Sequence, residues 1–365
     1  MGDGDFATQS SPAKPARANK GQVQNGGTMR TLATIVRMRT PRIKVPAEEG
    51  EATYHCMSRT VNREWFFDDT AREVLRKHLW QTADFCGVKI ITHHLLSNHF
   101  HVFVRIPKKC PVPDAELLRR YRVLHPHPTK YQTIRLEVIE GWLRNNAPEG
   151  EAWRQRMLKL MGDLSAFMKL FKQRYSIAYN RSHRRCGPLW CDRFKSVLCE
   201  GTGDVLRTMA LYIDLNSVRA GIVSDPKDYR FGGYAEAVAG NIAAREGLAL
   251  VCGGKDWEET QAIYRQFLFG AGSAPREKGC VIPIDQFRKV MAAGGRLPLA
   301  EVLRCRVKYF TEGAVLGSRA FVQEHLAAYR LRTGRRRNTP APSLPRLTDC
   351  GELAVLRGVR SPAIG

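Results

Sequence analysis

Between residues 52 and 221 the apolar positions switch repeatedly between a period of two and a period near 3.6. The stretch "ATYHCMSRTV" (52–61) has the Thr, Tyr and Val content of a strand. Asp69 then stands as an N-cap for "TAREVLRKHLWQTADFC", where Val74, Leu75, Leu79, Ala83 and Cys86 recur at helical spacing and Gly87 provides the stop. "VKIITHHLL" and "HFHVFVRIP" read as two strands turning at Ser97-Asn98. "DLSAFMKLFKQRYSIAYN" (163–180) is an amphipathic helix with Leu164, Phe167, Met168, Phe171, Tyr175 and Ala178 on one face. "RFKSVLCE" (193–200) alternates like a strand. "GDVLRTMALYIDLNSVRAG" (203–221) returns to helical spacing through Val205, Leu206, Met209 and Ile213. The order β-α-β-β-α-β-α predicts an α+β fold on the ferredoxin-like (split βαβ) plan, with one added helix.

Residues 107–162 interrupt that plan with polar, charged and partly Pro-rich sequence, and contain helical patches at "DAELLRRYRVL" and "AWRQRMLKLMG". They read as an insertion. Beyond residue 240 a string of short helices is expected: "WEETQAIYRQFLF", "IDQFRKVMAA", "PLAEVLRCRVKYF" and "SRAFVQEHLAAYRLR". With "GAVLGS" as a turn, the last two suit either a helix-turn-helix reader of DNA or a plain helical packing extension. The expected organisation is a disordered basic arm over 1–45, a main domain over 46–240, a mostly helical extension over 241–332 and a disordered basic tail over 333–365.

Charge narrows the partners. The 365 residues hold 58 Lys and Arg against 35 Asp and Glu, a net +23, which favours a polyanion and nucleic acid ahead of a membrane surface. No apolar run reaches the roughly 18 residues of a membrane span, and the N-terminus lacks the apolar core of a secretory signal. The ten cysteines include no CxxC pair, so reduced thiols in a cytoplasmic protein are expected. Cys186, Cys191 and Cys199 are the tightest group, but lack the paired short spacings of structural zinc.

Two histidines stand out in "SNHFHVFV". Side chains alternate along a strand, so His99, His101, Phe103 and Arg105 share one face while Phe100, Val102, Val104 and Ile106 form a core face. Imidazoles two residues apart sit about 6–7 Å from each other, close enough to converge on one metal ion. Alone, the pair fits two satisfied structural histidines equally well. Further on, Tyr212 and Asn216 are four residues apart on one helix face. They read either as a half-buried tyrosine and a helix-ending asparagine, or as a nucleophile and an oxygen ligand. His93 and His94 on the neighbouring strand read as structural.

The motifs "YHCMSRTVNREWFF", "LLSNHFHVFVRIP", "FMKLFKQRYSIAYNRSHRRCGPLWCDRFKS", "YIDLNSVRAGIV" and "DPKDYRFGGY" occur in an order that resembles the single-tyrosine HUH transposases, and within them the REP-associated tyrosine transposases. The likeness spans residues 52–238. It implies a ferredoxin-like HUH nuclease domain that cuts and rejoins single-stranded or hairpin DNA through a 5′-phosphotyrosine. The His-hydrophobic-His motif falls on His99, Phe100 and His101, the tyrosine on Tyr212 and the amide ligand on Asn216. The usual "NPVRAG" is "NSVRAG" here, with Ser217 replacing proline; Arg219 is retained. The implied cofactor is a divalent metal, Mg²⁺ or Mn²⁺, and imidazole suits Mn²⁺ better than Mg²⁺.

A phenol titrates near pH 10, so such a nucleophile needs its proton removed or its target made electrophilic. The DNA contacts are expected at Arg181, Arg184, Arg185, Arg193, Lys195 and Arg219. Five of these lie within residues 165–195, which carry eight Lys or Arg against the single acid Asp192, with Phe171, Tyr175, Tyr179, Trp190 and Phe194 interleaved. Phe171 and Tyr175 read as core. The alternative is a catalytically silent DNA-binding protein of the same fold; a homodimer is left open.

Overall fold

Strand β1 (Ala52–Arg59) lies at the centre of a four-stranded antiparallel sheet, flanked by β3 (His99–Ile106) and β4 (Lys195–Cys199), with β2 (Lys89–Leu95) outside β3. The order β2-β3-β1-β4 is the ferredoxin-like arrangement expected from the element order. The computed structural model describes residues 44–126 and 135–298, together with 315–318, 323 and 353–356.

Helix α1 (Asp69–Cys86) begins one residue earlier than its sequence pattern suggests. Asp68, not Asp69, is the N-cap, and its carboxylate accepts from the Ala71 N–H; Gly87 ends the helix in the left-handed conformation at φ 67°. Leu75, Leu79, Ala83 and Cys86 are buried, while Val74 faces solvent.

The Cys56–Ile106 side of the sheet packs on α1 and on α5 (Leu164–Ser182), where Phe100, Val102 and Val104 meet Phe167, Phe171 and Tyr175. Phe171 and Tyr175 are fully buried. The inserted segment forms α2 (Asp114–Leu124), α3 (Leu136–Arg144) and α4 (Pro148–Leu158), of which the sequence pattern missed α3. Leu117, Leu124, Ile139 and Trp153 extend the same core, so the insertion builds on α1 and leaves the histidine face free.

A second core covers part of the opposite face. It contains α6 (Gly203–Asp214), α7 (Asn216–Arg219), α8 (Gly233–Val238), α9 (Ile242–Cys252), α10 (Trp257–Ser273) and α11 (Ile284–Ala292). Leu206, Ala210, Leu211 and Ile213 form the buried stripe of α6; Val205, expected in it, is exposed. The helix expected to run on through residue 216 breaks at Leu215.

Two features seat this layer. Strand β2 carries a bulge: Ile90 pairs with Val104 but Thr92 pairs with Phe103, so Ile91 is an extra residue and everything after it changes face. Gly247 of α9 sits on that bulge, where a Cβ would stand 2.3 Å from the Ile90 oxygen and 2.5 Å from the Ile91 oxygen.

Val315–Ser318 (β5) pairs antiparallel with Leu353–Leu356 (β6). The turn expected at "GAVLGS" and the unstructured tail expected beyond 333 are therefore strand at these residues. A strand pair buries polar backbone that the composition of these segments does not advertise. The helices expected over 298–310 and 318–332, and the arm over 1–43, lie outside the described residues.

Candidate active site

Three strands bring histidines to one patch. On β3, His99 and His101 point away from the α1–α5 core. The register sets Arg59 opposite His99, Met57 opposite His101 and His55 opposite Phe103 on β1. On β2 the bulge turns His94 to stand opposite His101.

His55 is the member that sequence reasoning missed. Its Nε2 lies 2.8 Å from Nδ1 of His101, and the two rings stack with centroids 5.1 Å apart. The signal was present: His55, Met57 and Arg59 alternate in β1 as His99, His101 and Phe103 do in β3, but only the pairing register shows that the faces coincide.

His99 is oriented by its neighbour. The Asn98 amide nitrogen donates to the Arg63 carbonyl at 3.0 Å, so its oxygen accepts from His99 Nδ1 at 2.7 Å. That fixes the proton on Nδ1 and leaves the Nε2 lone pair unused. Burial pushes the imidazoles down: His55 and His99 to about 4 and His101 to about 3, with Arg59 adding repulsion at the last two. All three are neutral at pH 7, the form in which imidazole binds a cation.

Tyr212 arrives from α6. Its ring centroid lies 6.1 Å from His101 and 6.2 Å from His55, edge-on to both, and the residue is 40% exposed. Arg219 holds its guanidinium 4.8 Å above the phenol ring and donates to the Tyr212 carbonyl at 3.1 Å. Asn216 donates its amide to the carbonyls of Tyr212 and Ile213, both at 3.0 Å. Those bonds close the broken end of α6 and leave the Asn216 carbonyl oxygen free to accept.

The opposite face of α6 is anchored by Asp214, 1% exposed. It accepts from the Tyr264 hydroxyl of α10 at 2.6 Å, from Thr92 of β2 at 2.8 Å and from the Tyr234 N–H at 3.4 Å. Burial pushes its carboxyl up to about 6 against the pull of those donors. Burial and the adjacent Asp214 raise Tyr264 well above the usual phenol range, which keeps it a donor. The candidate nucleophile is thus mounted on a helix tied to the sheet on one side and to the C-terminal extension on the other.

The structure distributes the expected DNA-contacting residues unevenly. Arg181, Arg184, Arg193 and Lys195 are exposed. Arg185 lies over the Phe66 ring at 4.7 Å and donates to the Pro188 carbonyl at 3.0 Å, and Arg219 is engaged with Tyr212. Of the interleaved aromatics, Phe171, Tyr175, Tyr179 and Phe194 are buried and Trp190 is half-buried. His93 and His94 are buried: His93 packs against Trp80 with its Nε2 3.5 Å from Glu236, and His94 stacks on Tyr229 at 4.4 Å.

Among the described residues no group of three or more His, Cys, Asp and Glu side chains is placed to hold a metal. Cys186 and Cys191 are exposed free thiols and Cys199 is a buried one. The donor set to test is therefore neutral: His99 Nε2, the His101 nitrogen not paired with His55, and the Asn216 oxygen. His99 Nε2 and the Asn216 oxygen each have a spare lone pair, and His101 Nε2 has one when its Nδ1 donates to His55; with that tautomer the set fits a loosely held divalent ion that takes further oxygens from its substrate.

Comparison with known proteins gives a partial family match. No curated protein matches the chain. A solved structure of a REP-associated tyrosine transposase bound to a REP hairpin aligns with 55% of this chain and 85% of its own, at 16% identity and a TM-score of 0.36, too distant to bear on function. The family model described as "Transposase IS200 like" matches residues 50–116, which hold β1, α1, β2 and β3 with His55, His99 and His101. That segment is less than half of the chain and lies in the region whose motifs resemble the same family.

Proposed function

We propose that this protein is a metal-assisted tyrosine transposase that cleaves and rejoins single-stranded or hairpin DNA in the cytoplasm. The observation that carries the reading is the approach of Tyr212 to within 6.1 Å of His101 on the face that β3 also gives to His99. A tyrosine beside neutral imidazoles, in a chain of charge +23, suits attack on a phosphodiester. A DNA hairpin, the substrate that the sequence resemblance implies, is the one to test.

Each residue has a part in this reading. Tyr212 Oη attacks the scissile phosphorus and the bond to the 3′ oxygen breaks. The DNA 5′ end is left as a phosphotyrosine and the other end as a free 3′-OH. Attack by a 3′-OH reverses the step without an external energy source. A divalent ion held by His99, His101 and Asn216 would polarise the phosphate and stabilise charge on it. His55 holds the His101 ring and Asn98 holds that of His99, so both ligands are oriented before the ion binds. Arg219 fixes the Tyr212 ring, and Arg181, Arg184, Arg193 and Lys195 offer phosphate contacts. The described helices include none long and apolar enough to cross a membrane.

The test is incubation of labelled hairpin DNA with Mn²⁺ or Mg²⁺ and either wild type or Tyr212→Phe. A covalent protein–DNA adduct that needs both metal and Tyr212 supports the reading. Tight binding with no adduct on any hairpin would leave a DNA-binding protein of the same fold.

A further inference from the structure

Trp65 is 81% exposed, the highest value among the large apolar side chains described. Its neighbours are fixed. Phe67 is buried and its N–H donates to the Ser97 carbonyl at 2.9 Å, while the Phe66 ring lies under the Arg185 guanidinium. On the other side, the Asn62 and Arg63 backbones are left-handed, at φ 53° and 60°, a costly conformation for residues other than glycine. Thr60 donates its N–H at 2.9 Å and its hydroxyl at 3.0 Å to the Asn98 carbonyl, and the Asn98 amide holds the Arg63 carbonyl. The turn is braced, and it displays an indole to solvent with no partner among the described residues.

The bracing residue connects this turn to the candidate active site, because the same Asn98 side chain orients His99. The surroundings are basic. Arg59 and Arg63 are exposed on the turn's own strand and loop. The 181–191 segment packs alongside through Val61 N–H to Leu189 and Cys191 N–H to Arg59, and carries the exposed Arg181 and Arg184. Glu64 is the one acid in the turn, and it accepts from the Asn62 amide at 3.2 Å. An exposed indole on a braced turn, with exposed arginines on that turn and on the segment bonded to it, matches the recognition of unpaired nucleobases, which stack on aromatic faces while cations follow the backbone.

We infer that Trp65 is a stacking platform for an unpaired base in the single-stranded flank of the DNA, beside His99. This rests on the DNA reading above. It also moves the stacking role away from the aromatics of residues 165–195, most of which are buried.

The experiment compares wild type, Trp65→Ala and Trp65→Phe on a blunt hairpin and on hairpins with a four-nucleotide single-stranded flank on either side. Affinity is read by fluorescence anisotropy and folding by circular dichroism. Trp65→Ala should weaken binding of one flanked hairpin about 5- to 150-fold and leave the blunt one unchanged, with Trp65→Phe recovering most of the loss. Abasic sites in that flank should erase the difference between wild type and Trp65→Ala. Equal affinities of Trp65→Ala and wild type for every flanked DNA overturn the inference. So does an equal loss on blunt and flanked hairpins, or a change confined to self-association. Wild type that binds no DNA overturns the functional reading itself, a result distinguishable from the others.

Discussion

Replacing Tyr264 by Phe removes one oxygen from the interior and tests how α6 is held. Among the described residues the Tyr264 hydroxyl is the only donor to Asp214 Oδ2, at 2.6 Å; Thr92 and the Tyr234 N–H both serve Oδ1. With 1% exposure, Asp214 has no water to replace the lost bond. A hydrogen bond to a charged group contributes about 1.5–3 kcal/mol, and a buried carboxylate oxygen left without a donor sits at the upper end of that range. The expected loss at pH 7 is therefore about 2–3 kcal/mol. At roughly 2–4 °C per kcal/mol for a domain of this size, the melting temperature should fall by about 4–12 °C. Thr92→Val removes the other side-chain donor, so the double variant should depart from additivity by at least about 0.5 kcal/mol. Urea titration and thermal melting supply the energies. The rate of adduct formation by the still-folded variant reports whether the Tyr212 mount has loosened. A loss under about 0.5 kcal/mol with an unchanged adduct rate would refute the claim that the extension anchors this helix.

His55→Ala should weaken Mn²⁺ binding about 10- to 100-fold by calorimetry, while His55→Asn, able to keep a hydrogen bond to His101, should retain part of the affinity. Gly247→Ala drives a methyl group into the carbonyls of Ile90 and Ile91 and should cost about 3 kcal/mol in chemical denaturation. His78 titrates far from the site; burial, with help from Arg174 and Lys77, lowers it to about 4. A folded value below the unfolded one of about 6.5 means that stability is intact above pH 6.5 and is lost as pH falls through about 4. His78→Gln should flatten that slope by up to about 3 kcal/mol between pH 7 and 4 in denaturant midpoints.

The elements of the main domain were readable because each carries an uninterrupted period. Phe100, Val102 and Val104 declare a strand face, and Leu164 through Tyr175 declare a helix face. The site was readable where a residue type is costly in its local pattern: two imidazoles in an apolar strand, and Tyr212 with Asn216 one turn apart. It was not readable where the function of a residue depends on which strand pairs with which. His55 looked like one polar residue in a strand until the register set it beside His101. Nothing local marks Asp214, because its partners, Thr92 and Tyr264, are 122 and 50 residues away. Trp65 sat in a short run of aromatics, and only packing separates it from Phe66 and Phe67. The break at Leu215 was hidden too, since "DLNSVR" contains neither proline nor glycine to announce it.

The extra residue in β2 has an evolutionary consequence. Ile91 turns Thr92 toward Asp214 and His94 toward Tyr229, and its carbonyl lies where only a glycine of α9 can pass. A one-residue deletion at Ile91 would leave Thr92 through Leu95 in their present pairing and straighten the strand beneath α9. The dependence therefore runs one way: while the bulge is present position 247 has room only for glycine, whereas the glycine itself would survive loss of the bulge. A survey of relatives that scores the length of β2 against the residue at position 247 should find glycine there wherever the extra residue is kept.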